Sequence, residues 1–255
     1  MTRDWDAAAY DRLPIPMTGW GLAVLERLPL DGDERVLDAG CGTGQVTAAL
    51  RDRLPDGGVI ALDASASMLD RARDRLGDDR VTYLLHDLLE PIPIEPVDAI
   101  LSTATFHWVP DHDRLFTNLA AVLRSGGRLT AQCGGAGNIA TVAAVLRDLG
   151  QDIAWDKVFP TAEETTSRLE RAGFVDIACD LVPAPARIPA DDLELYLATV
   201  CMGGVLDATP EDERAALVSQ VAARLTEPVI DYVRLNISAR RARWSVREYR
   251  PTPSR

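Results

Sequence analysis

The sequence has few cysteines and no long apolar run. Its four cysteines, Cys41, Cys133, Cys179 and Cys201, are far apart and form no C-x-x-C pair, which argues against a zinc knuckle or a disulfide framework. No apolar stretch reaches the roughly 18 residues that a transmembrane helix needs, and the N-terminal residues lack the apolar segment of a secretory signal. We therefore expect a cytoplasmic protein with no metal and no membrane partner.

Basic residues are also in short supply. Lysine and arginine together number 27 against 39 aspartates and glutamates, which gives a net charge of −12. Proteins that bind nucleic acids neutralise phosphates with clustered basic side chains, so this balance argues against a nucleic-acid partner and favours a small molecule. The one basic concentration lies at residues 241–255, which are expected to form a solvated, partly disordered tail.

The length and the order of apolar segments indicate an α/β protein. With 255 residues, 47% of them hydrophobic, the chain is long enough for one α/β domain and a modest addition. From residue 35 to about residue 134, strand-like apolar runs alternate with helix-like segments. This alternation is typical of a parallel sheet with right-handed crossovers.

The most informative segment is residues 36–44, where a short apolar strand ends in an acid and leads into three glycines. Gly40, Gly42 and Gly44 let a ligand lie directly against backbone N–H groups at the start of the next helix. The dinucleotide fingerprint G-x-G-x-x-G would need a glycine at position 45, where this chain has Gln45. The segment therefore predicts a nucleotide-type cofactor site that is not of the dinucleotide type.

A second apolar run, residues 59–63, also ends in an acid. An acid at this point, here Asp63, can accept hydrogen bonds from ribose hydroxyls. Ser65 is a candidate N-cap for the helix that follows, and residues 81–88 predict a third strand with a polar end. A nicotinamide-dependent oxidoreductase would share the ribose acid, but the sequence has no Tyr-x-x-x-Lys pair for its chemistry.

Together these segments resemble the class I S-adenosylmethionine-dependent methyltransferases. The resemblance is carried by the glycine motif with Asp38 before it, by the strands at 59–63, 81–88 and 97–102, and by the helix, glycine turn and strand at 119–129. Residues 106–112 resemble in particular the trans-aconitate 2-methyltransferase group. The family implies a Rossmann-like, seven-stranded, mostly parallel sheet with helices on both faces. Residues 173–178 would form its sixth strand and residues 229–239 its last, antiparallel strand.

The resemblance also implies the cofactor and the residues that hold it. S-adenosylmethionine would be the methyl donor and S-adenosylhomocysteine the product, with Asp63 on the ribose and Asp87 on the adenine amine. The residues expected to bind the cofactor are Asp38, Gly40, Cys41, Gly42, Gly44, Asp63, Ala64, Met68, His86, Asp87, Leu88 and Ser102.

The expected methyl acceptor is the carboxylate of a small, trans-aconitate-like acid. A carboxylate is ionised at neutral pH and needs no base, and Arg234 is the candidate to hold it. Trp20 and Trp108 are candidate pocket walls, and His107 is either a base or a residue that orients the substrate. The alternatives left open are methylation of a natural-product hydroxyl or ring and, more remotely, a protein that binds the cofactor without catalysis.

Finally, the sequence divides into five predicted parts: a helical N-terminal segment that closes over the cofactor (1–34), the methyltransferase core (35–182), a helical substrate lid (183–228), the last core strand (229–240) and the basic tail (241–255). The lid is expected to contain two helices, at 191–202 and 210–225, above the carboxyl ends of the strands, where open α/β sheets bind ligands. Both a monomer and a homodimer are compatible with the sequence.

Overall fold

The structure, a computed structural model, describes residues 16–151 and 157–243. Its main strands are β1 (Arg35–Ala39), β2 (Gly58–Asp63), β3 (Val81–Leu85), β4 (Val97–Thr103), β5 (Leu123–Gly134), β6 (Phe174–Pro183) and β9 (Val233–Arg241). They form a seven-stranded sheet in the order β3-β2-β1-β4-β5-β9-β6. The first five strands pair in parallel, whereas β9 runs antiparallel to both β5 and β6. The predicted α/β fold, with its antiparallel last strand, is confirmed.

Helices cover both faces of this sheet and extend beyond it. They are α1 (Met17–Glu26), α2 (Gln45–Asp52), α3 (Ala66–Leu76), α4 (His112–Val122), α5 (Ala140–Asp148), α6 (Ala162–Arg171), α7 (Leu193–Tyr196), α8 (Gly203–Asp207) and α9 (Glu211–Arg224). The predicted N-cap of α3 is present, because the Ser65 hydroxyl accepts a hydrogen bond from the Met68 backbone N–H at 3.4 Å.

The central strands are buried on both faces because successive side chains point in opposite directions. In β1, Leu37 packs into the apolar layer that contains Phe116 of α4, whereas the neighbouring Val36 packs into the layer that contains Val24 of α1 and Leu50 of α2. Because helices cover both faces of the sheet, side chains on both faces of its central strands are apolar, and these strands are nearly continuous apolar runs.

The structure corrects the limits of three predicted strands. The sixth, predicted at 173–178, extends from Phe174 to Pro183. The third strand ends at Leu85, before the polar residues that were assigned to its end. The predicted strand 229–239 is broken: β8 (Val229–Ile230) pairs with β7 (Ala186–Arg187) in a separate two-stranded sheet, and β9 begins only at Val233. The break lies at Asp231, whose carboxylate accepts hydrogen bonds from both the backbone N–H and the hydroxyl of Thr141, at 2.9 Å each.

A second hydrophobic core lies outside the sheet. It joins α5, β8, α9 and the segment from α7 to α8. The helix predicted at 191–202 is instead a 3₁₀ turn (Ala190–Asp192), α7 and a π-helical turn (Leu197–Cys201). The π turn widens the helix because the Met202 N–H donates to the carbonyl of Leu197, five residues earlier. The region beyond the sheet therefore includes α5 as well as the predicted lid.

Parts of two predicted segments lie outside the described residues. Residues 1–15 of the N-terminal segment and residues 244–255 of the tail are among these; the described part of the N-terminal segment contains α1. Among the described residues, no helix combines the length and the apolar character needed to cross a membrane.

Candidate active site

A cavity of about 470 Å³ lies at the carboxyl ends of β1, β2 and β4. Its size is within the range of small-molecule sites. One side is formed by the loops that follow these strands and by the residues after β3. The other side is formed by the 3₁₀ turn Phe106–Trp108, by residues 157–159, by the end of the π turn and by the start of β9.

The glycine loop after β1 borders this cavity at Gly40 and Gly42. Gly40, Gly42 and Gly44 all have positive φ angles, of 87°, 55° and 80°. A Cβ on Gly40 would clash with the side chain of Thr105, so no larger residue fits there. No atom lies within 4 Å of a Cβ placed on Gly42, which lines the cavity. A ligand can thus approach Gly42 closely, although its backbone N–H already donates to Asp63. The predicted binding residue Gly44 does not line the cavity: a Cβ there would lie 3.1 Å from the Ala72 side chain, so this glycine lets the loop pack closely on α3 instead.

Asp63 ties the glycine loop to the start of α3. Its carboxylate accepts hydrogen bonds from the backbone N–H groups of Gly42 and Ser65, both at 2.9 Å. Burial raises the pKa of Asp63, partly offset by these hydrogen bonds. Asp63 lines the cavity and therefore offers a hydrogen-bonded carboxylate at its edge.

Asp38 lies beneath the same loop and does not line the cavity. It is only 1% exposed, and its carboxylate accepts a hydrogen bond from the Thr47 hydroxyl at 2.7 Å. Burial raises the pKa of Asp38 to about 7; the Thr47 hydrogen bond opposes this change, and the charge of Asp63 adds to it.

Most of the other predicted cofactor residues line the cavity. These are Cys41, Ala64, Met68, His86, Asp87 and Leu88. Asp87 is held by a hydrogen bond from the Leu89 backbone N–H to its carboxylate at 2.9 Å. Ser102 is turned away: it is 1% exposed, does not line the cavity, and donates its hydroxyl to the carbonyl of Ala39 at 2.6 Å. It links β4 to β1 instead.

His107 is buried in the cavity wall as a neutral ring. Its Nδ1 accepts a hydrogen bond from the Gly134 backbone N–H at 3.3 Å, so the neutral imidazole carries its proton on Nε2. Burial, followed by the charges of Arg234 and Lys157, holds the pKa of His107 well below its usual value of 6.5. The ring is therefore a hydrogen-bond donor at Nε2 near neutral pH.

Arg234 lines the cavity from β9 and is only 3% exposed. Its Nε donates to the side-chain oxygen of Gln132 at 3.2 Å. The guanidinium carbon lies 4.9 Å from the ring centroid of Trp20. Trp20 does not line the cavity: it packs behind Arg234, with its ring 5.2 Å from that of Tyr232. Trp108 does line the cavity, as predicted.

Many residues that line the cavity are not predicted from the sequence, and Lys157 and Tyr232 are two of them. Lys157 is 7% exposed; its Nζ donates to the carbonyls of Cys201 at 2.8 Å and Val200 at 3.3 Å, and it lies 4.4 Å from the Trp108 ring centroid. One signal was available for it, because Lys157 is the single lysine among the 27 basic residues. No local signal marks Tyr232, which lies where the predicted last strand breaks.

Comparisons with known proteins agree with this site. Residues 37–131 match the methyltransferase domain family. The trans-aconitate 2-methyltransferase of Variovorax paradoxus is 31% identical over 238 residues, which cover 88% of this chain and 90% of that protein. The protein of the same name from Methylobacterium radiotolerans is 38% identical over 129 residues, and there the match spans only 49% of that protein's length.

A solved structure gives the same fold. The Haemonchus contortus phosphoethanolamine N-methyltransferase 2, in complex with phosphomonomethylethanolamine and S-adenosylhomocysteine, superposes with a TM-score of 0.61 and 21% identity. The superposition covers 88% of this chain and 53% of that one. Fold, site and sequence matches together define an S-adenosylmethionine-dependent methyltransferase. Within this class, the chain belongs to the family whose members are named trans-aconitate 2-methyltransferase.

Proposed function

We propose that the protein methylates a carboxylate of a small acid related to trans-aconitate. The observation that carries this proposal is Arg234, a buried arginine that lines the cavity of a protein whose net charge is −12. A guanidinium pairs with a carboxylate through two parallel hydrogen bonds. The name shared by the relatives supports the same class of acceptor.

The cofactor end of the cavity is acidic and open at the backbone. S-adenosylmethionine supplies a methyl group on a positively charged sulfur. We assign the ribose hydroxyls to Asp63 and the adenine amine to Asp87, since both carboxylates line the cavity. Gly42 leaves room for the same ligand because it has no side chain, and Met68 and Leu88 give apolar contacts at its edge. Asp38 lies beneath the loop, and its negative charge favours the binding of a cationic ligand.

At the acceptor end, His107 orients the substrate and does not remove a proton. A carboxylate acceptor is already ionised near neutral pH, so its methylation requires alignment more than base catalysis. The neutral ring of His107 presents Nε2–H as a donor, and its lowered pKa opposes proton uptake. The residue can therefore hold one carboxylate oxygen while Arg234 holds the acid.

Several wider features belong to the same proposal. Residues 183–228 act as a lid, supported by the separate apolar core that they share with α5. A cytoplasmic site of action is supported by the four cysteines, which are all described and all free. The acidic charge favours a small-molecule acceptor over a nucleic acid. The protein would act as a monomer or a homodimer.

The proposal is tested by measuring methyl transfer to trans-aconitate. We expect Arg234→Met to lower kcat/KM on the order of a hundredfold, because a buried charge partner of the acceptor is lost. Arg234→Lys keeps the charge but loses the planar fork, so it should recover only part of the activity. Arg240→Met is the matched control, since Arg240 lies on the same strand and does not line the cavity.

Binding of S-adenosylhomocysteine, measured by calorimetry, checks that each variant keeps the cofactor site. A wild-type protein that binds this ligand but methylates none of a panel of small acids would contradict the proposed acceptor. So would an Arg234→Met variant with unchanged kcat/KM.

A further inference from the structure

Helix α1 is attached to the cofactor end of the cavity. Met17 and Thr18, in its first turn, line the cavity together with Gln45 and Val46, the first two residues of α2 after the glycine loop. The Thr18 hydroxyl donates a hydrogen bond to the side-chain oxygen of Gln45. A ligand at this end of the cavity therefore meets the first turns of both helices.

The packing of α1 against α2 is close at Gly21. A Cβ on this glycine would lie 2.6 Å from the Val46 side chain and 3.4 Å from the Thr103 hydroxyl oxygen. Glycine is unfavourable in a helix relative to alanine, so close packing outweighs helix preference at this position. Helix α1 thus lies directly on the first turn of α2 and on the end of β4, with little room to shift.

The same helix contacts the acceptor side of the cavity through Trp20. The ring centroid of Trp20 lies 4.9 Å from the guanidinium carbon of Arg234 and 5.2 Å from the ring centroid of Tyr232. Arg234 and Tyr232 line the cavity, whereas Trp20 does not. About two turns later, Arg27 at the end of α1 donates a hydrogen bond to the Asn236 side chain at 2.7 Å. These contacts hold α1 against β9.

We infer that Trp20 is a positioning residue of the acceptor site, and that α1 links acceptor binding to occupation of the cofactor site through this side chain. The inference rests on the proposed function, in which Arg234 holds the acceptor, and it adds how that arginine is oriented. Trp20 acts through Arg234 and makes no contact with the acceptor.

The indole contact restricts a buried charged group. Burying a guanidinium is costly unless its surroundings stabilise it, and the face of an indole attracts a cation. Gln132 accepts a hydrogen bond from Arg234 Nε at 3.2 Å, so the amide fixes one edge of the group while the Trp20 ring fixes the position of its central carbon. Without the indole, the guanidinium could move into the vacated space, and an acceptor would have to reorder it on binding.

The position of α1 explains why the two ligands should affect each other. The helix packs on both hydrophobic cores: Val24 and Leu25 belong to the layer on the sheet, and Met17 and Trp20 pack against the second core. The cofactor would stabilise its first turn, and the acceptor would stabilise the arginine that Trp20 contacts. Two ligands that favour the same position of one element strengthen each other's binding, and this effect is reciprocal.

The test measures the dissociation constant of trans-aconitate by calorimetry, with the free protein and with its S-adenosylhomocysteine complex. The sulfur of this ligand is uncharged, so a direct attraction between a sulfonium and the acid is absent. We expect the wild-type complex to bind the acid about tenfold more tightly than the free protein. Trp20→Leu should weaken binding to the complex about tenfold and reduce the difference between complex and free protein to less than about threefold.

Steady-state kinetics separate positioning from a merely structural role. Trp20→Leu should raise KM for trans-aconitate about tenfold and keep kcat, and the affinity for S-adenosylhomocysteine alone, within about threefold of wild type. A loss of stability alone would lower the amount of active protein and leave KM unchanged. Trp20→Phe should recover part of the loss because a phenyl ring keeps a smaller aromatic face. Leu22→Ala, at an exposed position of the same helix, is the matched control and should behave like the wild type.

Equal affinity of the wild-type protein for trans-aconitate with and without S-adenosylhomocysteine would overturn the inference, and this comparison holds even if Trp20→Leu fails to fold. A folded Trp20→Leu protein with wild-type KM, or with the wild-type difference between complex and free protein, would overturn it as well. A failure of the proposed function is distinct, because the wild-type complex would then neither bind nor methylate trans-aconitate.

Discussion

At the scale of single residues, Asp38 is an acid kept away from water beneath the glycine loop. Because burial raises its pKa from 3.8 to about 7, the folded protein binds a proton at Asp38 that the unfolded chain releases near pH 4. The stabilisation that this proton gives is fully present below pH 4 and is lost as the pH rises through about 7. A cationic ligand favours the ionised form, so cofactor binding and deprotonation of Asp38 are linked.

We therefore predict that the affinity for S-adenosylmethionine increases from pH 6 to pH 8, by up to about tenfold if Asp38 is the main titrating group. Asp38→Asn should weaken binding at pH 8 and flatten this dependence. Asp70→Asn, on the exposed side of α3, should behave like the wild type. Calorimetric titrations at the two pH values check the prediction, and an Asp38→Asn variant with an undiminished pH dependence would contradict it.

At the scale of structural elements, a row of polar side chains crosses three strands behind Arg234. Gln132 of β5, Asn236 of β9 and Asp180 of β6 are register neighbours. Asn236 accepts hydrogen bonds from Gln132 at 2.8 Å and from Arg27 at 2.7 Å, and donates one to Asp180 at 3.0 Å. Since Gln132 in turn accepts the hydrogen bond from Arg234 Nε, the row fixes the position of the guanidinium.

Replacing Asn236 with leucine should therefore impair acceptor binding, although this residue does not itself contact the acceptor. We expect KM for the acid to rise about fivefold because Arg234 is less well oriented. Thermal unfolding should show a loss of about 2 kcal/mol, since buried polar groups lose their partners. Ser238→Ala, two residues further along the same face of β9, is the control. If the Asn236→Leu protein were destabilised but kept the wild-type KM, the row of polar side chains would contribute to stability alone.

At the scale of the whole molecule, the cavity lies between two hydrophobic cores. The sheet and its helices form the first, and α5, α9 and the segment from α7 to α8 form the second. The cofactor loops belong to the first core, whereas Lys157 bonds to carbonyls of the π turn in the second. Both cores therefore contribute residues to the wall of the cavity.

Amide hydrogen exchange tests whether both cores take part in ligand binding. S-adenosylhomocysteine alone should slow amide exchange in the glycine loop and the first turn of α3. Adding trans-aconitate should then slow exchange in residues 197–207, which belong to the second core, by up to about a hundredfold at concentrations near 100 times its dissociation constant. If trans-aconitate protected only the sheet loops, the second core would have no part in acceptor binding.

The sequence by itself determined the sheet, its helices and the identity of the cofactor loop. These features depend on short-range patterns: apolar alternation fixes which face of a strand is buried, and glycines with positive φ fix a turn that opens the backbone to a ligand. The same patterns led to the methyltransferase family, which the sequence matches support over 88% of the chain.

Only the tertiary structure decided how the acceptor side is built. Lys157 and Arg234 are far apart in the sequence, and they line one cavity because β9 and the π turn meet above the sheet. The same packing turns Ser102 toward Ala39 and places Trp20 behind the guanidinium. A local pattern sets how one segment folds, but which side chains from separate segments share a cavity depends on long-range packing. The cofactor loop could therefore be predicted from the sequence, whereas the arrangement of residues around the acceptor required the structure.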